Sequence, residues 1–308
     1  MADKTQFGRV FVVELGDLKL ELRPPPADAA LRVAFSVERD KSEIPNNVEL
    51  AIWNLSPAHR AEIAQHKQLS CRIQAGYGSE PSQIFTGIVT KVESTFDKSA
   101  GDWVLRVSAG DGQGEYATTK VSLSFAKGTS VHTVLKALVK ATGLSPGNIS
   151  QLTDVAFTSG ATELEGPYVA HGSAMFELQV FADSLWIDWS FQDGQFVGAD
   201  KGKPYSAQGP LLSAATGLIE ARLDEHGNVE GSALLLADLI PGAAFRVEAA
   251  ECTGDFVCVA TTHAGDNFDE SNWTVKFHGI PLGALSDCLL PEKTQKTKAK
   301  PTAASTVL

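Results

Sequence analysis

The feature that most constrains the fold is the alternation of apolar and polar residues in short runs that end at glycine or proline turns. Residues 9–23 (RVFVVELGDLKLELR) alternate on both sides of Gly16-Asp17, and residues 31–36 repeat the pattern after a proline break. A period of two is typical of a half-buried strand. Many short strands with turn signals between them predict a β-barrel or β-sandwich.

One of these runs continues directly into a short helix. In VELAIWNLSPAHRAEI, which begins at Val48, every second residue as far as Ile52 is apolar, and Ser56-Pro57 follows. Serine caps helix N-termini, and proline is favoured at the first helical position. The sequence therefore predicts a strand that turns sharply into one short helix.

Three further runs complete a first unit over residues 1–115. They cover residues 69–78, 82–96 and 102–112, and the second is unusually long and contains Gly87. A glycine inside a strand indicates a bulge or a close backbone approach. We expect an antiparallel unit of about six or seven strands that carries the short helix.

Residues 116–205 mix helical and strand patterns. Thr129 or Ser130 is a candidate cap for a first helix that stops at Gly143, and Ser173 is a candidate cap for a second helix. An Asp-Gly pair then predicts a hairpin between two aromatic-rich strands. These patterns indicate a small α+β domain.

The strand pattern returns over residues 206–280. Pro241-Gly242 and Gly254-Asp255 are predicted as turns, because these residue types favour turn conformations. We expect a second β-barrel here.

The last segment, residues 281–308, has no apolar periodicity and is rich in lysine and threonine. Such a segment cannot bury enough surface to offset its ordering entropy. It is predicted to be a flexible tail or a peptide that orders on a partner.

Composition places the chain among globular proteins and disfavours two functional classes. Hydrophobic residues make up 43% and charged residues 20%, with a formal net charge of -11. Nucleic-acid binding needs clustered lysine and arginine, which so acidic a body does not favour. The sequence has neither a membrane-spanning apolar run nor the apolar core of a signal peptide, so we expect a chain made and kept in the cytoplasm.

Cysteine and glycine patterns give no strong sign of a metal or phosphate site. Cys71, Cys252, Cys258 and Cys288 lack zinc-site spacing, and reduced thiols are the favoured interpretation. Cys252 and Cys258 flank a predicted turn, so contact across a hairpin stays open. The run GDGQGE (residues 110–115) has no helix behind it and is interpreted as a turn rather than a phosphate loop.

Histidine and acidic clusters are weak candidates for catalysis. His59 and His66 stand seven residues apart and would share one helix face, and HAGDNFDE (residues 263–270) gathers one histidine with three acids. Exposed polar positions and a solvated loop are the favoured interpretations. No G-x-S-x-G motif occurs, and a carboxylate pair of the muramidase kind stays open because such pairs meet in space.

Aromatic residues near position 190 offer one possible contact surface. Leu185, Ile187, Trp189 and Phe191 share one face by alternation and are predicted to be core residues. Trp186 falls on the opposite face, where a subunit contact and a sugar contact are equally open.

The serial order of these motifs resembles baseplate hub proteins of tailed phages and related contractile injection systems. VELAIWNLSPAHRAEI, CRIQAGYG, IFTGIVTKVES and VSAGDG carry the resemblance first, and GSAMFELQVFADSLWIDWSFQDGQF, LLSAATGLIEA, LIPGAAFRVE and NWTVKFHGI extend it, so that it covers residues 30–280. The family-motif positions are Trp53, Asn54, Leu55, Ser56, Pro57, Gly76, Tyr77, Phe85, Gly87, Asp111 and Gly112.

The resemblance implies a fold class that is mainly β with an α+β insert, in which two tail-tube-like β-barrels are joined by a small α+β domain. It implies a homotrimeric ring with pseudo-sixfold symmetry that connects a hexameric tail tube protein to a trimeric spike protein, among other baseplate proteins. DNA would pass through the central channel without specific binding. The short helix would pack on the first barrel with Trp53 beneath it, and an acidic lumen would repel DNA.

We therefore expect a non-enzymatic structural protein of the virion with no cofactor and no metal. Two alternatives stay open, namely a tail-tip peptidoglycan hydrolase and a carbohydrate-binding adhesin. Loss of wall-clearing activity on mutation of a carboxylate would favour the first, and loss of glycan binding in Trp186→Ala would favour the second.

Overall fold

The computed structural model describes residues 6, 8–24, 31–41, 46–66, 68–79, 81–111, 119–152, 155–157, 159–200, 203–269 and 271–282. The strands in this part of the chain are β1 Arg9–Leu15, β2 Leu18–Leu22, β3 Val33–Asp40, β4 Asn47–Trp53, β5 Ser70–Tyr77, β6 Ser82–Asp97, β7 Asp102–Gly110, β8 Lys120–Phe125, β9 Tyr168–Ser173, β10 Ile187–Gln192, β11 Gln195–Asp200, β12 Leu211–Ser213, β13 Leu218–Leu223, β14 Val229–Leu234, β15 Ala244–Glu248, β16 Thr253–Asp266 and β17 Trp273–Pro281. The α-helices are α1 Pro57–Gln65, α2 Val131–Ala141 and α3 Ala174–Ser184. The predicted fold class, mainly β with a few helices, is confirmed.

One 13-stranded sheet joins the two ends of the chain. Its order is β13-β14-β17-β16-β3-β4-β7-β6-β5-β1-β2, and β15 and β12 extend it from β16. The central link is the antiparallel pair β3–β16, in which Val37 lies opposite His263. Strands from the first and last thirds of the sequence therefore share one hydrogen-bonded sheet.

The first hydrophobic core forms because this sheet curls until β1 approaches β3. Phe11 and Phe35 lie with ring centroids 5.2 Å apart, and Trp273 completes the cluster at 5.7 and 5.8 Å from them. No strand pair closes the gap between β2 and β3 in the described residues. Instead the side chain of Asn267 accepts from the Val33 N–H at 2.8 Å and donates to the carbonyls of residues 31 and 23 at 2.9 and 3.4 Å.

Two further cores lie in the middle and last parts of the chain. The middle core packs α2 and α3 against β8–β9 and β10–β11, and includes the buried Leu185, Ile187, Trp189 and Phe191, as predicted. The last core lies between β12–β15 and the β13, β14, β16 and β17 strands. Domain boundaries at residues 115, 205 and 280 stay predictions, and residues 283–308 lie outside the described residues.

Most predicted turns and caps are confirmed. Ser56, Ser130 and Ser173 cap the three helices through their hydroxyl oxygens. The Asp193-Gly194 turn has φ angles of 55° and 73°, the left-handed pair that a two-residue hairpin requires.

The predicted turn at Gly254-Asp255 is wrong. These residues lie inside β16, where Thr253 pairs with Glu248, so the turn is formed by residues 249–252. The Ala249 N–H donates to the carbonyl of Cys252 at 2.8 Å across it. This turn contains neither glycine nor proline, and its sequence gave no turn signal. Cys252 and Cys258 are both buried and free.

Candidate assembly surfaces

The corner between β4 and α1 is fixed by Asn54. This residue has a left-handed φ of 55°, which asparagine tolerates better than most side chains. Its N–H donates to the Trp103 carbonyl at 2.7 Å, its Oδ1 accepts from the Trp103 N–H at 3.1 Å, and its Nδ2 donates to Asp102 at 2.8 Å. Leu55 then enters the first core, and Ser56-Pro57 starts the helix.

Two arginines cover the aromatic rings around this corner. The Arg32 guanidinium lies 4.5 Å from the Trp53 ring centroid, and that of Arg60 lies 4.2 Å from the Trp103 centroid. We expected Trp53 to pack beneath the helix, but the indole that meets a helix side chain is that of Trp103. The reason is that Trp103, the second residue of β7, is hydrogen-bonded to Asn54 at the corner, whereas the Trp53 ring lies against Arg32, just before β3. Trp103 also contacts Phe96, and both rings are over two-fifths exposed.

The motif residues on β5 and β6 have structural positions. Gly76 pairs with Val10, and Tyr77 packs against the first core, where burial raises its pKa to about 12. Phe85 is buried in the same core. At Gly87 an added Cβ would lie 2.4 Å from the Gly110 carbonyl oxygen, which confirms the predicted close backbone approach. Gly112, the last motif position, lies outside the described residues.

Asp111 belongs to a buried polar junction that the sequence did not reveal. Its two carboxylate oxygens accept from the backbone and side-chain N–H groups of Asn46 at 2.8 and 2.6 Å. Asn46 also donates to the Phe191 carbonyl at 2.8 Å, next to the β10–β11 turn. The middle part of the chain therefore docks on the sheet through polar contacts.

Arg39 is the cation of this junction. Its side chain is 1% exposed and donates to Gln192 at 3.0 Å, to Asp193 at 3.1 Å and to the Ile84 carbonyl at 3.3 Å. A second ion pair, Lys41–Asp188 at 3.1 Å, lies at its edge. Alternation in β3 puts Arg39 on the same face as the buried Val33, Phe35 and Val37. Its charge gave no sign of burial, because the hairpin that supplies its partners comes from elsewhere in the chain.

Burial controls the charge of Asp111. It raises the pKa of this carboxyl to about 7, with a smaller contribution from nearby Asp193. The hydrogen bonds from Asn46 and the charge of Arg39 act in the opposite direction. Desolvation outweighs these favourable contacts, as is expected for a carboxyl with little access to water.

Eight neighbouring strands, from β13 to β6 in sheet order, turn polar side chains to one face. The residues of this polar face are Glu220, Arg222, Glu230, Ser232, Lys276, His278, Thr262, Glu38, Glu49, Arg106, Ser108, Lys91 and Glu93. The opposite face of the same strands lies against the hydrophobic cores. Charges of both signs alternate along the polar face.

This set of strands ends in two outer edges. In the described residues β13 pairs with β14 alone, and β6 beyond Val89 pairs with β7 alone. The free part of β6 continues to Asp97, and its side chains are largely exposed. Long unpaired edges are templates for pairing with another chain.

Within the described residues, the catalytic and metal candidates do not assemble into a site. His59 and His66 line one shallow cleft with Asp17 and Glu62, but the described residues hold no group of three or more histidine, cysteine or acidic side chains arranged for a metal. No helix in this part of the chain is long and apolar enough to cross a membrane.

The prediction of a solvated loop at residues 263–270 is wrong for its first half. His263 is fully buried in β16, its Nε2 lies 3.0 Å from the Leu236 carbonyl, and burial lowers its pKa to about 3. Asp266 is also buried and accepts from Arg32 at 2.8 Å. Both residues belong to the strand that joins the ends of the chain, which explains their burial. Trp186, by contrast, is 38% exposed, with φ of 55°.

Comparison with solved structures shows that the chain has the fold of phage tail and type VI secretion proteins, which confirms the predicted resemblance at the level of fold. No protein-family profile and no curated protein sequence matches it.

Among the similar structures is the 43 kDa tail protein of prophage MuSo2 from Shewanella oneidensis, with a TM-score of 0.62, 9% identity, and coverage of 90% of this chain and 98% of that one. A tail protein from Neisseria meningitidis MC58 has a TM-score of 0.59 at 12% identity, and the match covers 91% of this chain and 98% of that one. The E. coli c3393 protein has a TM-score of 0.52 at 10% identity, and the match covers 87% of this chain and 76% of that one. That protein is described as a type VI secretion component with structural similarity to the T4 tail proteins gp27 and gp5.

Proposed function

We propose that this chain is a non-enzymatic baseplate hub of a phage tail, in which three copies form a ring between the tail tube and the spike. The observation that carries the proposal is the polar face of eight strands with an unpaired edge at each end. The fold it shares with known tail proteins supports the same assignment.

Strand direction allows these edges to meet in a closed ring. The ladder connects β6 to β13 through Ile88, Gly110, Asn47, Glu38, Thr262, Lys276, Ser232 and Glu220. Ile88 itself pairs with Ser70 of β5, so contact with the free part of β6 requires neighbouring copies to be staggered along the strand direction. Since neighbouring strands alternate in direction, β6 and β13 run in opposite directions. The β6 edge of one copy can therefore join the β13 edge of the next as an antiparallel pair, with all copies pointing the same way. Head-to-tail contacts of this kind form rings when the rotation closes.

The polar face would line the channel of such a ring. Its five glutamates and four lysines or arginines leave a slight acidic excess, weaker than that of the whole chain. The acidic lumen expected from net charge stays a prediction. Lysine and arginine positions alternate with glutamates rather than cluster, which disfavours a tight grip on phosphates. We infer that DNA passes without specific binding.

The two ends of the polar face differ, as an adaptor between unlike partners requires. One end carries the docked β10–β11 hairpin, and the other carries α1 and the exposed tip of the β6–β7 hairpin, with Phe96 and Trp103. We propose that the tail tube protein and the spike protein bind at opposite ends, with other baseplate proteins around the ring.

Light scattering across a dilution series, with negative-stain imaging of the species that persists, tests the ring. We expect a trimeric ring, alone or after addition of the spike protein. Ser94→Lys with Thr95→Lys places two cations on the free part of β6 and should reduce the assembly to monomer. Ser122→Lys with Ser124→Lys, on exposed positions of β8, is the matched control and should leave the trimer intact.

A stable monomer that is indifferent to tail proteins would contradict the proposal. In that case glycan binding and wall-clearing assays would become the next measurements.

A further inference from the structure

The free part of β6 presents an outward row of main-chain groups. The N–H and C=O of Trp103 both bond to Asn54 at the corner, so those of the next residue, Val104, turn toward β6. Thr95 lies opposite Val104 and therefore bonds inward, to β7. Since successive residues of a strand alternate in direction, the outward N–H and C=O groups belong to Val92, Ser94 and Phe96.

The outer edge of β13 presents a matching row. The Asp224 N–H donates to the Asn228 carbonyl at 2.9 Å across the β13–β14 turn. Arg222, two residues earlier, bonds toward β14 in the same way, so the main-chain groups of Ala221 and Leu223 point outward. No strand of the described residues pairs with this row. An antiparallel pair of the two rows keeps the polar side chains of β6 and β13 on one face.

An apolar groove lies beside the same edge of β13. Leu218, Ile219 and Ala221 line one wall, and Ala249 and Ala250, from the turn between β15 and β16, line the other. Leu218 and Ala221 pack at the margin of the last core, so the groove opens on the core side of the sheet. Ile219 is 57% exposed, so an apolar side chain at this edge is uncovered in the single copy.

The apolar side chains of the free part of β6 lie on the same side of the sheet. Val92 packs at the margin of the first core, and Phe96 contacts Trp103 and is itself 47% exposed. When β6 of one copy extends β13 of the next, Phe96 comes to the side on which the groove opens. A second copy of this chain therefore supplies an exposed aromatic ring to an exposed apolar groove.

Side-chain charges distinguish among the possible registers of this pair. One register places Glu93 opposite Arg222, and it also places Lys91 opposite Asp224. A shift of two residues in one direction sets Glu93 against Glu220. The same shift sets Lys91 against Arg222. A shift in the other direction sets Glu93 against Asp224. Opposite charges stabilise a cross-strand pair and like charges destabilise it, so the first register is favoured over both neighbours.

We propose that neighbouring copies join in this one register, with Phe96 of one copy in the β13 groove of the next. The side-chain pairs on the core side of the joint are then Val92–Leu223, Ser94–Ala221 and Phe96–Ile219. On the polar face, the surface ion pairs Lys91–Glu93 and Arg222–Glu230 become one network across the joint.

This inference rests on the proposed ring and specifies how its copies are staggered. Glu220 comes opposite Thr95 of the neighbour, well beyond Ile88 along β6. Such an offset at each joint is expected, because the strands of a closed barrel tilt relative to its axis. Phe96 belongs to the joint, whereas Trp103 stays on the end of the ring.

A disulfide across the joint tests the register in the full chain. Ser94→Cys with Ala221→Cys puts two thiols directly opposite each other, within the reach of a disulfide. Mild oxidation should link neighbouring copies into covalent dimers and trimers on non-reducing gels. Ser94→Cys with Leu223→Cys, one pair away, is the matched control and should link at least about tenfold less, because diagonal positions are too far apart. The native Cys71, Cys252 and Cys258 are buried, and Cys288→Ser is included in every variant.

Light scattering of the reduced proteins separates the register from the ring. Trimers in which the first cysteine pair links no better than the control would overturn the register and leave the ring standing. Preferential linking of the first pair supports both. A chain that stays monomeric with and without the spike protein would contradict the ring and the register together.

Phe96→Ala tests the groove contact without added cysteines. Loss of the buried ring should raise the concentration needed for half-maximal assembly at least about tenfold. Phe176→Ala removes an equally exposed ring from α3 and is the matched control, with no expected effect. Assembly at the same concentration in both variants and in the unmodified protein would overturn the contact of Phe96 with the groove.

Discussion

The stability of the polar junction should depend on pH through the buried carboxyl of Asp111. Its folded pKa of about 7 lies well above the value near 3.9 of an unfolded chain. Between these values the folded state keeps a proton that the unfolded state has lost. The free energy of unfolding should therefore fall as pH rises from about 4 to about 7, and should be insensitive to this group above that range.

Asp111→Asn should remove most of this dependence. Each pH unit between the unfolded and folded pKa values changes the free energy of unfolding by about 1.4 kcal/mol, so the whole change is at most roughly 4 kcal/mol. Denaturant unfolding at pH 5 and pH 8 measures it. Asp17→Asn, an exposed carboxyl in the β1–β2 turn, is the control. A pH slope that is the same in Asp111→Asn and in the unmodified protein would show that the carboxyl is ionised in the fold throughout.

At the scale of the element, α1 is a helix with a single anchor in the core. Ile63 is its one buried residue, and Arg60 adds the contact with Trp103. Nine residues are too few for a helix to be stable alone in water. Its stability therefore comes from these contacts and from the Asn54 corner.

Ile63→Ala should cause α1 to unfold locally while the sheet stays folded. Truncation of a buried isoleucine lowers the free energy of unfolding by about 2–5 kcal/mol. Because Ile63 is the one buried residue of α1, we expect this loss to destabilise α1 rather than the sheet. We expect faster hydrogen exchange at the α1 amides and unchanged exchange in β4 and β7. Glu62→Ala, an exposed neighbour on the same helix, should change neither. Uniform loss of protection across the first core would instead mean that the helix and barrel unfold as one unit.

Local patterns predicted most elements, and long-range contacts explain what they missed. The Ser56, Ser130 and Ser173 caps and the Asp193-Gly194 turn were predictable because each depends on a few adjacent residues. The β3–β16 pair depends on strands more than 200 residues apart, and the residue 249–252 turn is set by the pairing of Glu248 with Thr253. Among the motif positions, a local role was predicted for Trp53, Ser56, Pro57 and Gly87 and not for the others. The junction at Asp111 appeared only in the fold.

At the scale of the whole molecule, the polar junction holds the middle part of the chain against the sheet. Arg39→Leu removes its cation and leaves Asp193 and Gln192 without their donor. Removing one partner of a buried ion pair lowers the free energy of unfolding by about 3–5 kcal/mol. We expect looser docking, measured as faster tryptic cleavage at the exposed Lys203 in the following connection.

Arg72→Leu is the control for this prediction, because its contact with Glu14 lies on the surface and contributes about 0–1 kcal/mol. If both variants are cleaved at the same rate as the unmodified protein, the junction is held by contacts other than those of Arg39.

The closure of the first core has a consequence for the order of synthesis. Phe11 and Phe35 emerge early from a ribosome, but the residues that complete their core, Asn267 and Trp273, are among the last of the described residues to be made. During most of translation the nascent barrel therefore has an open seam between β2 and β3 and an apolar interior without its tryptophan. Chaperone binding to such a chain should persist until nearly the whole of it has been translated.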